Sequence, residues 1–265
     1  MKHGQIPELR HTFDRVAEGY HRARPTYPPA LFADLATLAG LRPGAALVEV
    51  GCGTGQATRD LAADGYRVVA VELGPGMADV ARRALAEYPD LRVETGAFEG
   101  WQPPHRAFDA VFPATAWHWV DPATRYALAA DVSRPGGSLA VVTTSHVRPA
   151  GGDQFFLQIQ DVYEEIGETN GDSAPPLPED VPDPWSDEIE TSGRFERPQV
   201  RRYLWEQPYT ADGYIALLDT YSGHIAMAPE KRARLDGAVR DLLAARPDGR
   251  VRKAYLNWLH VARRR

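Results

Sequence analysis

The stretch VEVGCGTGQATRDLA, Val48 to Ala62, sets Gly51, Gly53 and Gly55 between a valine-rich run and a helix-like run. A strand, a glycine turn and a helix in that order build a ligand site at the carboxyl end of the strand. Gly51 permits a sharp turn, and Gly53 lets a ligand approach the backbone. The spacing is G-x-G-x-G, and Gln56 stands where the dinucleotide fingerprint G-x-G-x-x-G has its third glycine. Glu49 precedes the turn. A carboxylate there is unfavourable beside a pyrophosphate but suits an ammonium group. Glu72 ends the next apolar run, YRVVAVE. A carboxylate in that position can accept hydrogen bonds from ribose hydroxyls.

Outward from this turn, AALVEVG, YRVVAVEL, LRVETGA, FDAVFPAT and GSLAVVTTS are short valine-rich runs, as expected of strands buried on both faces. PPALFADLATLAG, QATRDLAADG, PGMADVARRALAEY and DPATRYALAADVSR lie around and between them with helical spacing. This alternation predicts an α/β fold with a doubly wound, mostly parallel, Rossmann-like sheet. After Ser145 the pattern changes. DQFFLQIQDVYEEIGE reads as a helix, and the next stretch has five prolines between Pro175 and Pro184. From Asp161 to Glu190 there are eleven acidic residues and no Lys or Arg. Strand patterns return in FERPQVRRYLWEQPYT and GRVRKAYLNWLHVARR, with helical ADGYIALLDTYS and PEKRARLDGAVRDLLAAR between them. The expectation is therefore seven strands, with a helical and loop insertion after the fifth. It is a single domain over 1–265: an N-terminal cap (1–40), a cofactor-binding core (41–150), an insertion or lid (151–192), and strands and helices completing the sheet (193–265).

The chain has 265 residues, 43% of them hydrophobic and 25% charged, with a formal net charge of −6. That balance does not point to nucleic acid. No apolar run approaches the roughly 20 residues that span a bilayer, and the opening residues have no apolar signal core. The single cysteine, Cys52, excludes an internal disulfide and a Cys-based zinc site. A cytoplasmic protein without metal, nucleic-acid or membrane partners is expected; the oligomeric state is not readable.

VEVGCGTGQAT with Glu72, GAFEGW and FDAVFPATAWHWVD together resembles the class I S-adenosylmethionine-dependent methyltransferases. The opening FDRVAEGYHRARPTYPPALFADL resembles their small-molecule branch, the type 11 or trans-aconitate methyltransferase-like enzymes. The resemblance runs from Phe13 to Ser145. It implies a Rossmann-like methyltransferase fold that binds S-adenosyl-L-methionine and releases S-adenosyl-L-homocysteine. It implies a cofactor site at Tyr20, Arg24, Glu49, Gly51, Cys52, Gly53, Gly55, Gln56, Glu72, Leu73, Met77, Ala97, Phe98, Glu99, Ala114, Thr115 and Trp117. Where many relatives carry an aspartate after the third strand's glycine, this chain has Ala97.

Methyl transfer requires alignment and exclusion of water more than it requires acid–base groups. A carboxylate acceptor is already ionised at neutral pH, whereas a hydroxyl needs a base. His118, in AWHWVD after the fourth strand, is the candidate base, with Trp119 beside it as an apolar wall. The substrate side is placed at Trp119, His146, Phe155, Phe156, Tyr163, Tyr221 and His224. The insertion begins at the ligand edge of the sheet, so its helix is expected to lie over the site. The proline-rich remainder is expected to be mobile, or ordered only with substrate. The function expected is O-methylation of a carboxylate or hydroxyl on a small molecule. The alternatives are an NAD(P)-binding oxidoreductase and a cofactor-binding protein without catalysis.

Overall fold

The computed structural model describes residues 16–103, 107–168 and 174–265. Seven strands form one sheet: β1 (Ala46–Val50), β2 (Arg67–Glu72), β3 (Leu91–Thr95), β4 (Phe108–Phe112), β5 (Ser133–Val147), β6 (Gln199–Thr210) and β7 (Arg250–Arg263). Their spatial order is β3-β2-β1-β4-β5-β7-β6. The pairs β3–β2, β2–β1, β1–β4 and β4–β5 are parallel, and β7 is antiparallel to both of its neighbours. The order reverses direction beside β1, which is where an open α/β sheet leaves a crevice at its carboxyl ends.

The strand sequences match their neighbours. β7 is enclosed on both sides and buries residues 253–262 without interruption. β6, at the edge, leaves alternate residues exposed along much of its length. Ten helices lie among the described residues: α1 (Ala17–Ala23), α2 (Pro29–Ala39), α3 (Thr58–Ala63), α4 (Pro75–Ala84), α5 (Arg125–Val132), α6 (Phe155–Glu165), α7 (Ser186–Thr191), α8 (Ala211–Leu218), α9 (Ser222–Ile225) and α10 (Pro229–Ala244). α2 begins on Pro29 and stops at Gly40, which takes the left-handed conformation at φ 65°.

One sheet face packs Leu47, Val68, Ala110, Phe112 and Val142 against Leu31, Phe32 and Leu35 of α2 and Ala78 and Ala81 of α4. The opposite face packs Val48, Val111, Leu139 and Val141 against Tyr126, Ala129 and Ala130 of α5. A further core joins α6, α8 and α10 to Tyr209, Val251 and Tyr255 at the β6–β7 end.

The insertion divides. α6 is helical as its periodicity predicts, and Phe155, Phe156 and Ile159 are buried against Tyr214 and its neighbours rather than over the crevice. The proline-rich remainder corrects the expectation of mobility. Residues 169–173 lie outside the described residues, but 174–190 is anchored on the other sheet face. Arg202 donates to the Pro178 carbonyl, Trp185 Nε1 donates to Thr143 Oγ1 at 2.6 Å, and His260 Nε2 lies 2.8 Å from Asp183. Asp183 also accepts from the backbone N–H groups of Trp185 and Ser186, starting α7. Ile189 then joins the core beneath β4 and β5. Apolar and hydrogen-bonding side chains between the prolines hold a segment that proline alone could not make regular.

Candidate active site

The three motif glycines separate by what stands near them. All have positive φ, at 68°, 59° and 93°. A Cβ on Gly51 would lie 2.6 Å from the Ala116 Cβ, and one on Gly55 would lie 2.6 Å from Leu85 Cδ1. Those two glycines admit protein. A Cβ on Gly53 would meet nothing nearer than Met77 Cε at 3.6 Å. Gly53 faces a cavity of about 360 Å³ instead.

The first half of that cavity lies at the ends of β1 and β2 and beside β3. Tyr20, Glu49, Gly51, Cys52, Gly53, Gln56, Glu72, Leu73, Met77, Ala97 and Phe98 line it, together with Val50, Val71, Gly74 and Gly96. Glu72 Oε2 accepts from Gly53 N at 2.8 Å and Oε1 from Gly74 N at 2.9 Å. Two backbone donors therefore fix the carboxylate where β2 ends. Glu49 is 1% exposed and its Oε2 has no hydrogen-bond partner. Burial, partly offset by neighbouring Thr58 and reinforced by Glu72 and Asp60, raises its pKa to about 8. A buried carboxyl with an unmatched oxygen in a cavity wall calls for a cationic or hydrogen-bond-donating ligand. Cys52 also lines the cavity, but burial and Glu49 hold its thiol well above the ordinary pKa. That is the opposite of an activated nucleophile.

α1 and the segment after it cover the cavity. Tyr20, Arg24, Pro25, Thr26 and Tyr27 all reach it. Arg24 lies over the Tyr20 ring at 4.8 Å and the Tyr221 ring at 4.5 Å. It donates to Thr220 Oγ1 at 2.8 Å and to the Thr220 carbonyl at 2.9 Å. The N-terminal cap is thus tied to the α8–α9 junction.

The second half lies over β4, β5, β7 and β6. Ala114, Thr115, His118, Trp119, Thr144, Trp205, Tyr221, Ser222, Tyr255 and Asn257 line it. Thr115 is the single non-glycine residue with positive φ among the described residues, at 55°. For a β-branched side chain that strain costs about 1–3 kcal/mol. Pairing around it holds the conformation: Thr115 N donates to Val142 O at 2.8 Å, and Val142 N donates to Pro113 O at 2.9 Å. His118 is exposed at one edge and rests on Trp119 at 4.7 Å. Crowding on its other side, then Arg125, lower its pKa to about 4. It is neutral at pH 7 and a weak base.

Several predicted residues stand outside the cavity lining. Gly55 packs on Leu85, and Glu99 accepts from Asp121 N at 3.2 Å. Trp117 is 1% exposed, beneath Arg125 and Tyr126. On the substrate side, Phe155, Phe156, Tyr163, His146 and His224 form a layer behind the wall. His146 contacts Phe156 at 4.5 Å, and His224 Nε2 pairs with Tyr163 Oη at 2.8 Å. Tyr255 and Tyr221 form the wall itself. The reason is packing: the apolar face of α6 is consumed by α8, α10 and the start of β7. Tyr27, Thr144, Trp205, Tyr255 and Asn257 were missed. The available signal was Asn257, a neutral polar residue in the apolar run AYLNWLHV.

Among the described residues no cluster of His, Cys, Asp and Glu could hold a metal ion, and no helix is long and apolar enough to cross a membrane.

A Rossmann-like seven-stranded sheet with β7 antiparallel, a glycine turn after β1 and an acid ending β2 defines the class I methyltransferase fold. A family model of the methyltransferase domain matches residues 47–137. An uncharacterized methyltransferase of Mycobacterium tuberculosis is 32% identical over 236 residues, covering 89% of this chain and 87% of the relative. The chain belongs to the class I S-adenosylmethionine-dependent methyltransferase family. A malonyl-[acyl-carrier protein] O-methyltransferase of Serratia marcescens is 33% identical over 135 residues, 48% of this chain and 52% of that one. In fold, the chain resembles a structure assigned to the type II methyltransferases of Anaeromyxobacter dehalogenans (TM-score 0.62, 24% identity, covering 91% and 97% of the two chains).

Proposed function

We propose that this chain transfers the methyl group of S-adenosylmethionine to an oxygen, carboxylate or hydroxyl, of a small molecule. The observation that carries the reading is the pair Glu49 and Glu72 in the wall that Gly53 opens. Glu72, fixed by two backbone N–H groups, is placed to accept from ribose hydroxyls. Glu49, with its unmatched oxygen, is placed to accept from the amino-acid ammonium. An ammonium gives the unmatched oxygen of Glu49 a hydrogen-bond donor, which a nicotinamide dinucleotide's pyrophosphate, an acceptor only, cannot. Ala97 and Phe98 line the cavity beside the end of β3, where an adenine would rest, and Met77 and Tyr20 close over the turn.

When bound, the cofactor supplies a methyl group on a positively charged sulfur. The protein's share is alignment and exclusion of water. Tyr20, Arg24 and Tyr27 cover the site, and Trp119, Trp205, Tyr221 and Tyr255 wall the acceptor's space with aromatic surface. His118, neutral at pH 7, can take a proton from a hydroxyl acceptor and is not needed for a carboxylate. The relative named as a malonyl-[acyl-carrier protein] O-methyltransferase supports oxygen as the acceptor atom, and one named as a demethylmenaquinone methyltransferase supports methyl transfer.

Calorimetry tests it. S-adenosylmethionine and S-adenosylhomocysteine are expected to bind and NAD(H) not to. Gly53→Val should abolish binding, because a branched side chain would fill the ligand's path at a backbone angle it disfavours. Glu72→Ala should weaken it by roughly 1.5–3 kcal/mol. Binding of NAD(H) without response to either sulfur compound would overturn the reading.

A further inference from the structure

β6 is the last strand of the sheet, so one of its two sides is unpaired. The bonds at the end of β7 fix which residues point out. Arg264 N donates to Gly137 O of β5 at 2.8 Å. On the other side, Glu196 N donates to Arg263 O at 2.9 Å and Arg265 N to Arg194 O at 3.0 Å. Even-numbered residues of β7 therefore bond β5, and odd-numbered ones bond β6. The register of β6 on β7 sets odd against odd, as Tyr203 against Asn257 and Trp205 against Tyr255. The outward backbone groups of β6 are thus those of Val200, Arg202, Leu204, Glu206 and Pro208. Pro208 agrees, since its missing N–H falls on the unpaired side and costs the ladder nothing. Val200 O accepts from Arg201 Nη1 at 3.0 Å, and Pro208 O from Gln207 Nε2 at 3.4 Å. Between them, the N–H and C=O groups of Arg202, Leu204 and Glu206 have no partner among the described residues.

The side chains of this row share one face of the sheet. Leu204 is 50% exposed, one of two exposed large apolar side chains among the described residues. Arg202 and Glu206 stand two places to either side of it, with opposite charge. Glu206 is exposed and pairs with no base among the described residues. Arg202 lies over the Trp258 ring at 4.5 Å and donates to the Pro178 carbonyl, which leaves guanidinium N–H groups unused.

We infer that β6 pairs antiparallel with β6 of a second copy of this chain, about a two-fold axis through Leu204. The inference is independent of the S-adenosylmethionine reading. In this register Leu204 packs on the second copy's Leu204, and Arg202 faces the second copy's Glu206 once on each side of the axis. Facing residues also exchange their open N–H and C=O groups. On the opposite face Tyr203 meets the second copy's Trp205. Trp205 lines the cavity, so the second copy backs a wall of the candidate site. Other registers lose the match. An axis on Tyr203 or Trp205 sets a charge against Leu204 and leaves both charges unpaired. An axis on Arg202 or Glu206 sets like charges opposite each other, which destabilises the pair. Charges on an edge strand usually keep neighbours away. Here two opposite charges, evenly spaced about an apolar residue, admit the same strand reversed.

Sedimentation velocity on the full chain over a concentration series should show a reversible dimer. Arg202→Glu and Glu206→Arg should each raise its dissociation constant about 10-fold or more, because each sets like charges together twice. Both reversals in one chain should restore it. Glu206→Arg breaks no contact within the described residues, so its effect reads the interface and not the fold. Leu204→Cys reports the register. On oxidation it should link two chains, whereas Glu206→Cys should not, since the two copies of that residue lie four places apart, about 13 Å along the strands. Cys52, the one native cysteine, is buried and does not compete. A monomer at every concentration would overturn the inference. So would a dimer that both single reversals leave intact, a folded double reversal that stays monomeric, or links formed equally at 204 and 206.

Discussion

Glu49 sets two requirements against each other. Its carboxyl is buried and its pKa is raised to about 8, against about 4.5 in an unfolded chain. A raised acid favours the fold fully below the unfolded pKa, and that contribution is lost as pH rises through the folded pKa. Glu49→Gln should therefore change the melting temperature little at pH 5 and raise it at pH 9, by roughly 2–4 °C for each kcal/mol of cost removed. The same substitution should weaken S-adenosylmethionine binding, since a neutral amide no longer pairs with a cation. Melting curves and calorimetry across pH 5–9 check both, and a variant that lost stability at pH 9 would contradict the assignment. That Glu49, Gly53 and Glu72 share one cavity wall was legible because the half at the ends of β1 and β2 is built from two short, nearby stretches. The half over β4, β5, β7 and β6 draws Tyr27, Thr144, Trp205 and Asn257 from four distant parts of the chain. No local spacing announces that they meet.

At the scale of elements, strands and helices were readable from their periods, because valine-rich runs and amphipathic stretches record burial directly. The partner of a buried face is not recorded. The apolar side of α6 required a cover, and α8 with α10 provides it where the ligand was expected. Antiparallel pairing of the late strands at one edge was conceivable from the sequence, but the insertion of β7 between β5 and β6 was not settled by it, since its apolar run signals only burial on both faces. The proline-rich segment belongs to stability on the same grounds. Replacing 174–184 with a Gly/Ser linker should lower the melting temperature and leave the affinity for S-adenosylhomocysteine and the KM for substrate unchanged. Trp185→Ala removes both the bond to Thr143 and the stacking on Arg125. It should cost about 2–4 kcal/mol in denaturant unfolding, with kinetic constants near those of the unaltered protein. A changed KM at constant stability would restore the segment to the site.

For the molecule as a whole, the cavity joins the two ends of one sheet: Glu49 and Glu72 on one side of β4, Thr144, Asn257 and Trp205 on the other. Arg24 ties the roof across both halves through Thr220. The cavity half over β5, β7 and β6 exists only once β7 is in place, because β7 carries Tyr255 and Asn257 and is, among the described residues, the only strand that pairs with β6. That placement has a consequence for how the protein is made. Synthesis delivers β6 first, then the whole stretch from Ala211 to Gly249, and β7 after that. Until β7 leaves the ribosome, β5 has one open edge and β6 has two, which is the condition that favours pairing between chains. The nascent chain should therefore depend on chaperones late rather than early. A chain stopped at Gly249 should remain protease-sensitive, and refolding of the full chain should be slow, in the millisecond-to-second range of non-local sheets. Pulsed proteolysis of stalled nascent chains of graded length would show protection arriving in one late step, when β7 emerges to fill the gap.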